Sequence, residues 1–568
     1  MTLSFTVSPT DSQFSPRIGT VTHGSIQIQT PGIITTTSRG VIPHLSLDNV
    51  LRTPSIQWIH VPFESFLEHS PPVPTLLPPL RDFLRFSPSK HLLSMSLRDI
   101  SSAREMPPNT NGYVTANTVR GVRRVSPKDY KSYAELCKPD IVFALGDNAY
   151  PSTNASGPNA KLAAGMSQKR GIKSVERTLA WLGTLLNDQS STTFVSLVGG
   201  ASLPARSAFA NGLVETLYGP EAEQVSPLKT LDEGVSGYVL ELVPMALEAK
   251  ATPAPDSFIS LIQSSLGPLP MNKPRLVFGG SSSNLTGNTS TNAHLGPVTP
   301  QTALLLTLHC GIDLFDSRYA EEAASVGVAL GFRFPAPAPT EGKEELVLPL
   351  GWNLYDIKYR MDFSSVGSSP SGSGWGWRGV VGTFEDDPKV DGDVVCLCPT
   401  CSPLPPNPEE VILHSVVDSP PSQNSNPERS HRHRPPYTRA YIHHLLHTHE
   451  MSAHALLKMH NLHVWERFWD GVRGVLSDGE GNSANVERFK KKVERFIKVY
   501  SDKDVMNEAR EMWAEVEVLR GKGRLAREKE REVKEVQKKA GKDGDSEVEV
   551  GASLEEQVRE KLETSLEV

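Results

Sequence analysis

The sequence predicts an α/β fold: a closed (β/α)8 TIM barrel carrying a zinc-binding subdomain and a charged C-terminal helical tail. Three observations carry this. Short apolar runs recur with stretches of helical periodicity between them, and strand alternating with helix implies a parallel sheet joined by crossovers. The number of repeats, together with strands that end in glycine, favours a closed barrel over an open sheet. Cys396, Cys398 and Cys401 fall within six positions in VVCLCPTC, a spacing that suits ligands of one ion better than disulfides in a reducing compartment.

From 17 to 51 the chain alternates Ile and Val with Thr, broken by Gly24 and Pro31, which predicts a short hairpin leading into a buried strand. Residues 52–118 carry less signal; the prolines from Pro71 to Pro79 mark a loop, and 93–97 is a candidate strand. Further strands are predicted at 140–145 (DIVFAL), 193–198 (TFVSLV), 237–242 (GYVLEL), 275–278 (RLVF) and 312–315 (IDLF). Between them, SPKDYKSYAELC, SVERTLAWLGTLL and TPQTALLLTLHCG place apolar residues three and four apart behind Ser or Thr caps. Farther on, Trp465, Phe468, Trp469 and Val472 share one helical face, and FKKKVERFIKVYSD is a second amphipathic helix on which Lys490, Lys491 and Lys492 read as a solvated face. The expected organisation is a barrel with an N-terminal antiparallel cap over 1–365, a low-complexity insertion and lead-in over 366–393, a zinc-binding helical subdomain over 394–500 with a disordered insertion at 402–436, and a charged tail over 501–568, helical and then disordered.

Composition narrows the function. The chain has 568 residues, 38% of them hydrophobic, with 45 prolines and 43 glycines, so packed parts are diluted by polar insertions. A net charge of -7 and a pI near 6.2 exclude a surface that binds nucleic acid throughout, because phosphate neutralisation needs clustered Lys and Arg. The first residues lack a cationic segment followed by an apolar run, and no apolar run reaches about 18 residues. A cytosolic protein without a transmembrane segment is expected.

Three thiolates and one imidazole would complete a closed tetrahedral zinc site. His431, His433, His443, His444, His447, His449, His454, His460 and His463 all follow the cysteines, and spacing alone does not choose among them. CLCPTC, then TRAYIHHLL, then LLKMHNL, resembles the zinc subdomain of the tRNA-guanine transglycosylase (queuine tRNA-ribosyltransferase) family. That resemblance implies one Zn2+ per subunit, held by Cys396, Cys398, Cys401 and His460. The 402–436 insertion departs from the family, giving a fungal-like form, and lengthens a loop whose closure entropy rises only slowly. SPKDYKSYAELCKPDIVFALGD, KPRLVFGG, GIDLFDS and WNLYDIKYRMDF resemble further family stretches and imply the family's barrel.

The family replaces a guanine base in tRNA through a covalent sugar-enzyme intermediate, which requires a carboxylate nucleophile, a second carboxylate for proton transfer and polar groups to hold the base. By resemblance Asp316 stands at the nucleophile-like position. The family's D-S-G-G-F-Q block does not occur; the nearest aspartate, Asp99, stands in LRDISS. Val198 and Gly199 replace the hydrogen-bonding Val-Gln-Gly turn, GYVLELVP is expected to set Leu240, Leu242 and Pro244 where small residues would leave room for the purine, and Glu321 and Glu322 are expected to repel phosphate. Asp147 is one position out of register with a base-binding aspartate. The expectation is therefore a non-catalytic member of the family, with no catalytic residue of its own. The resemblance implies a heterodimer with a catalytic queuine tRNA-ribosyltransferase subunit, replacing guanine by queuine at wobble position 34 of tRNAs with G-U-N anticodons. It also implies contact with tRNA through the complex, and a peripheral place on the mitochondrial outer membrane. The alternative is an active transglycosylase that uses Asp316 as nucleophile.

Overall fold

The computed structural model describes residues 3–10, 12–77, 79–104, 106–148, 167–187, 191–248, 255–281, 296–337, 347–367, 396–401, 437–477, 482–500 and 505–516. The insertions expected at 366–393 and 402–436 lie outside these residues except for Val366 and Gly367, as does the tail beyond 516. Met1–Ala509 is one compact unit, and of the second, Arg510–Val568, the described part is the helical stretch 510–516.

The chain opens with an antiparallel sheet of β1 (Leu3–Val7), β2 (Gly19–His23) and β3 (Ile26–Thr30). The barrel follows: β4 (Gly32–Thr36), β5 (Trp58–Pro62), β6 (Leu92–Ser96), then a separate hairpin of β7 (Val114–Thr118) and β8 (Gly121–Val125), then β9 (Ile141–Phe143), β10 (Thr193–Ser196), β11 (Val235–Glu241), β12 (Arg275–Phe278) and β13 (Leu314–Asp316). The eight barrel strands close in the order β10-β11-β12-β13-β4-β5-β6-β9, and every pairing among them is parallel. The expected strands at 140–145, 193–198, 237–242, 275–278 and 312–315 correspond to β9 to β13. β5 and the β7–β8 hairpin are additions to the sequence reading.

Inward residues alternate with outward ones, as a barrel requires. Ile34, Trp58, Leu92, Ile141, Phe143, Phe194, Val239, Leu276, Phe278 and Leu314 form the interior, and Val21, Ile26 and Ile28 of the cap join them. One end is thereby plugged, while the carboxyl ends of the strands, where barrel enzymes carry their chemistry, stay available. Helices α1 (Pro127–Cys137), α2 (Gln168–Leu186), α3 (Leu203–Val214), α4 (Pro255–Leu266) and α5 (Pro300–Cys310) lie between barrel strands. Ser126, Ser167, Ser202 and Thr299 cap four of them, each side chain accepting the backbone N–H of the residue three positions on.

After β13 come α6 (Arg318–Ser325) and a ribbon of β14 (Val328–Leu330) and β15 (Gly351–Asn353). Helices α7 (Arg439–His447), α8 (Met451–Ser477) and α9 (Asn482–Val499) complete the unit. The long α8 ties this region to the barrel: Trp469 stacks on Phe315 at 4.9 Å and Trp465 on Tyr319 at 5.7 Å. Phe489, Val493 and Phe496 form the buried face of α9. Among the described residues no helix is long and apolar enough to cross a membrane.

Candidate functional site

Two groups of residues can do chemistry. The first lies where the loop 396–401 meets α8. Cys396 Sγ, Cys398 Sγ, Cys401 Sγ and His460 Nδ1 converge, with all four ligand atoms within 4.8 Å of one another and every residue buried. The Sγ to Nδ1 distances are 3.8, 3.5 and 3.6 Å. His460 Nε2 donates to the Leu330 carbonyl at 3.0 Å, which fixes the ring and turns Nδ1 toward the sulfurs, the orientation that backbone carbonyls impose on metal-binding histidines. The Gly367 amide donates to Cys401 Sγ at 3.3 Å and the Cys401 amide to Cys398 Sγ at 3.2 Å. Gly367 leaves no room for a side chain: a Cβ there would stand 2.8 Å from the Cys396 Cβ.

The next layer is equally fixed. Asn461 accepts from the Leu330 amide at 2.9 Å and donates to the Val328 and Ala320 carbonyls, while Thr400 donates to the Leu456 carbonyl at 2.7 Å. Hydrogen bonds from Cys398 and Cys401 hold the Cys396 thiol well below its ordinary range, and burial raises Cys398. Burial alone would lower His460, but the neighbouring Cys401 and Cys396 sulfurs push it up to about 10. Four soft and borderline donors, buried, mutually oriented and sharing protons, fit a metal ion, whose binding would release those protons. The expected quartet is brought together in full.

The second group surrounds the open end of the barrel. Asp316 ends β13 fully buried, and its carboxylate accepts from the Gly279 amide and, at 3.0 Å, from the Arg318 amide. Burial raises it to about 6. Asp99 accepts from Arg318 Nη2 at 2.9 Å and from Ser101 Oγ at 2.6 Å. Burial opposes its ionisation, but Arg318 and Ser101 hold it below the usual carboxylate range. Asp147, with no side-chain exposure, is gripped by both terminal nitrogens of Arg170 at 2.7 Å, by Arg177 at 3.2 Å and by Asn109 at 2.7 Å. Deeper in the barrel, His60 is pushed down to about 3 by burial and is therefore neutral. Its Nδ1 lies 2.9 Å from Ser94 Oγ, which already accepts from Trp58 Nε1, and its Nε2 lies 3.0 Å from Ser96 Oγ, which donates to the Arg98 carbonyl. Each hydroxyl has one proton, so the chain runs from Trp58 through Ser94 to His60 Nδ1, and from His60 Nε2–H through Ser96 to Arg98.

A small cleft at this end is lined by Ser96, Arg98, Phe143, Asn148, Ser196 and Glu241 among others. The β11 residue that lines it differs from the expected ones. On β11 the alternation turns Val239 into the core and Glu241 into the cleft, so Leu240 faces the other side of the sheet, and neither Leu242 nor Pro244 lines the cleft. Glu241 accepts from Asn148 Nδ2 at 2.7 Å, and burial raises its carboxyl above the ordinary range. One further expectation is corrected. Glu321 is paired with Lys458 Nζ at 3.0 Å and Glu322 is buried, so neither is a free charge that would repel phosphate. Gly199, at φ +126 and with a Cβ position 2.7 Å from the Arg206 amide, is required by the turn itself. Sequence reasoning missed Arg318 and Glu241: the aspartate that pairs with the first is 219 positions away, and the parity that turns the second inward emerges only with the strand in place.

Comparison with known proteins gives a family match and named relatives. The family described as "Queuine tRNA-ribosyltransferase" matches residues 11–371 and 430–495. Similar relatives are each named queuine tRNA-ribosyltransferase accessory subunit 2. One from Drosophila persimilis is 25% identical, covering 79% of this chain and 84% of its own length. One from Schizosaccharomyces pombe is 22% identical, covering 87% and 83%, and one from Homo sapiens is 24% identical, covering 80% and 90%.

Proposed function

Because the chain belongs to the queuine tRNA-ribosyltransferase family, we propose that it is the non-catalytic subunit of a heterodimer that exchanges guanine for queuine at position 34 of G-U-N tRNAs. The observation that carries this is the barrel mouth. Base exchange needs one free carboxylate nucleophile, one proton carrier and space for a purine. Here Asp316 is tied to two backbone amides, Asp99 is neutralised by Arg318, Asp147 is held by two arginines, and Glu241 stands in the cleft. Cys396, Cys398, Cys401 and His460 hold one zinc ion on this reading. Four protein donors leave no position for water, so the metal is structural and supplies folding energy rather than a nucleophile.

The catalytic subunit docks, we propose, beside this metal. Ile357, Met361 and Phe363 are 67, 72 and 68% exposed, Tyr441 is 44% exposed, and the Tyr437 and Tyr441 rings stack at 5.8 Å. Ile357 and Met361 share a groove with His443, His444 and His447 of α7. An apolar, aromatic surface of this kind is unusual on an isolated chain and suits a protein interface. The compartment consistent with this role is the cytosol, with any membrane association peripheral.

Guanine-to-queuine exchange on a G-U-N tRNA tests the reading, with this chain alone, a catalytic subunit alone, and both mixed. We expect turnover in the mixture only, at a rate unchanged by Asp316→Ala in this chain. Turnover by this chain alone, lost in Asp316→Ala, would establish the active alternative.

A further inference from the structure

The β7–β8 hairpin divides sharply between its strands. β7 is buried along almost its whole length, whereas Gly121 to Arg124 of β8 are all exposed. From Tyr113 to Ser126 the segment carries Arg120, Arg123 and Arg124 and no acidic residue, in a chain whose net charge is -7. Among the described residues no carboxylate pairs with any of the three. Arg123 donates to the Leu67 carbonyl at 3.3 Å, and Arg124 lies over the Tyr113 ring at 4.9 Å. These contacts hold two of the charges in place, and all three residues are exposed to solvent.

Placement gives the hairpin a direction. Val114, at the start of β7, lines the barrel cleft, and Arg98 of the same cleft donates to Thr115 Oγ1 at 2.9 Å. Lower down, the Asn117 amide contacts Glu64 Oε2 at 3.4 Å. The base of the hairpin is therefore part of the rim of the mouth, and its turn and exposed outer strand, with Arg120, Arg123 and Arg124, continue from that rim past Glu64 and Leu67.

We propose that this arginine-bearing strand binds the phosphate backbone of the tRNA, a role that rests on the function proposed above. Guanidinium groups pair with phosphate oxygens in fixed geometry, and a few such contacts on an otherwise acidic protein position RNA without reading sequence. The competing explanation is that the arginines only keep the free edge of β8 from pairing with other strands. Edge protection predicts no dependence of RNA affinity on these side chains.

The test uses the complex of the full chain with a catalytic subunit, and an unmodified G-U-N tRNA transcript titrated across a range of salt concentrations. Replacing all three residues, R120Q/R123Q/R124Q, should weaken binding about tenfold or more at low salt and reduce the slope of log affinity against log salt by about 2–3, as expected for three lost phosphate contacts. R120K/R123K/R124K should retain the slope, and K490Q/K491Q/K492Q on α9 should leave it unchanged. If the wild-type mixture exchanges guanine while R120Q/R123Q/R124Q binds tRNA with unaltered affinity and slope, the hairpin assignment falls and the proposed function stands. If the wild-type mixture neither exchanges guanine nor binds tRNA, both fall. Loss of binding to phosphatidylserine vesicles with tRNA binding intact would also overturn it, in favour of a membrane surface.

Discussion

The Cys/His cluster and the barrel mouth are both buried, both rich in ionisable groups, and differ in where those groups point. In the cluster, four donor atoms face one another, and the partners of His460 and Cys401 come from behind, from the Leu330 carbonyl and the Gly367 amide. In the mouth each carboxylate faces a donor of the protein itself: Asp316 two amides, Asp99 a guanidinium, Asp147 two guanidinium groups. A site kept for a ligand leaves its donors converging on shared space. One that has lost its ligand satisfies them internally, because buried polar groups without partners cost about 1–3 kcal/mol each.

The largest effect expected from this contrast is at the metal cluster. His460→Ala or Cys398→Ser should abolish stoichiometric zinc, measured by elemental analysis of the purified chain, and should unfold the loop 396–401 and the neighbouring part of α8. Structural zinc contributes on the order of 10 kcal/mol in small domains, so a chelator should lower the melting temperature of the wild type and barely affect either variant. Full zinc and an unshifted melting curve in both variants would remove the cluster from the comparison. A smaller loss is expected at the mouth. Arg318→Met takes the partner from Asp99, whose side chain is 26% exposed. Breaking a buried pair costs 3–5 kcal/mol, and partial exposure reduces this to about 3 kcal/mol in urea unfolding. Zinc content and the exchange rate of the complex should not change. A fall in exchange rate without a fall in stability would mean that the mouth still serves the reaction.

How far these regions could be seen in the sequence follows from the distances between their partners. The three cysteines are local, so their spacing announces a metal site, but the choice of His460 needed the family pattern, and the Leu330 carbonyl that orients it is visible only in the fold. β9 to β13 are apolar runs and were legible. β5, WIHVP, was not, because His60 looks like a surface residue until Ser94 and Ser96 of the neighbouring strand are placed against it. The hairpin was missed because β8 is arginine-rich and exposed, which hydropathy reads as loop. At the mouth, Asp99 and Arg318 are 219 positions apart, and whether Leu240 or Glu241 enters the cleft depends on a strand parity that composition does not carry.

The smallest and most discriminating effect concerns Asp316. Its pKa in the folded protein is about 6, against an ordinary value of 3.8, because burial disfavours the charged form. The native state therefore holds a proton between those values that the unfolded chain has released, and stability that is complete below about pH 4 is lost as pH rises through about 6. Asp316→Asn cannot ionise and should escape that loss. Its rearranged hydrogen bonds to the Gly279 and Arg318 amides add a cost that does not vary with pH, so the informative quantity is the difference between wild type and variant, followed by urea unfolding from pH 4 to pH 8. That difference should move by about 2 kcal/mol in favour of Asp316→Asn as pH rises, with half of the change reached at about pH 5 and a plateau above the folded value of about 6. A flat difference would mean that Asp316 ionises normally in the fold. The mouth would then contain a free carboxylate at the nucleophile-like position, and the proposed division between a kept metal site and a lost reaction site would have to be redrawn.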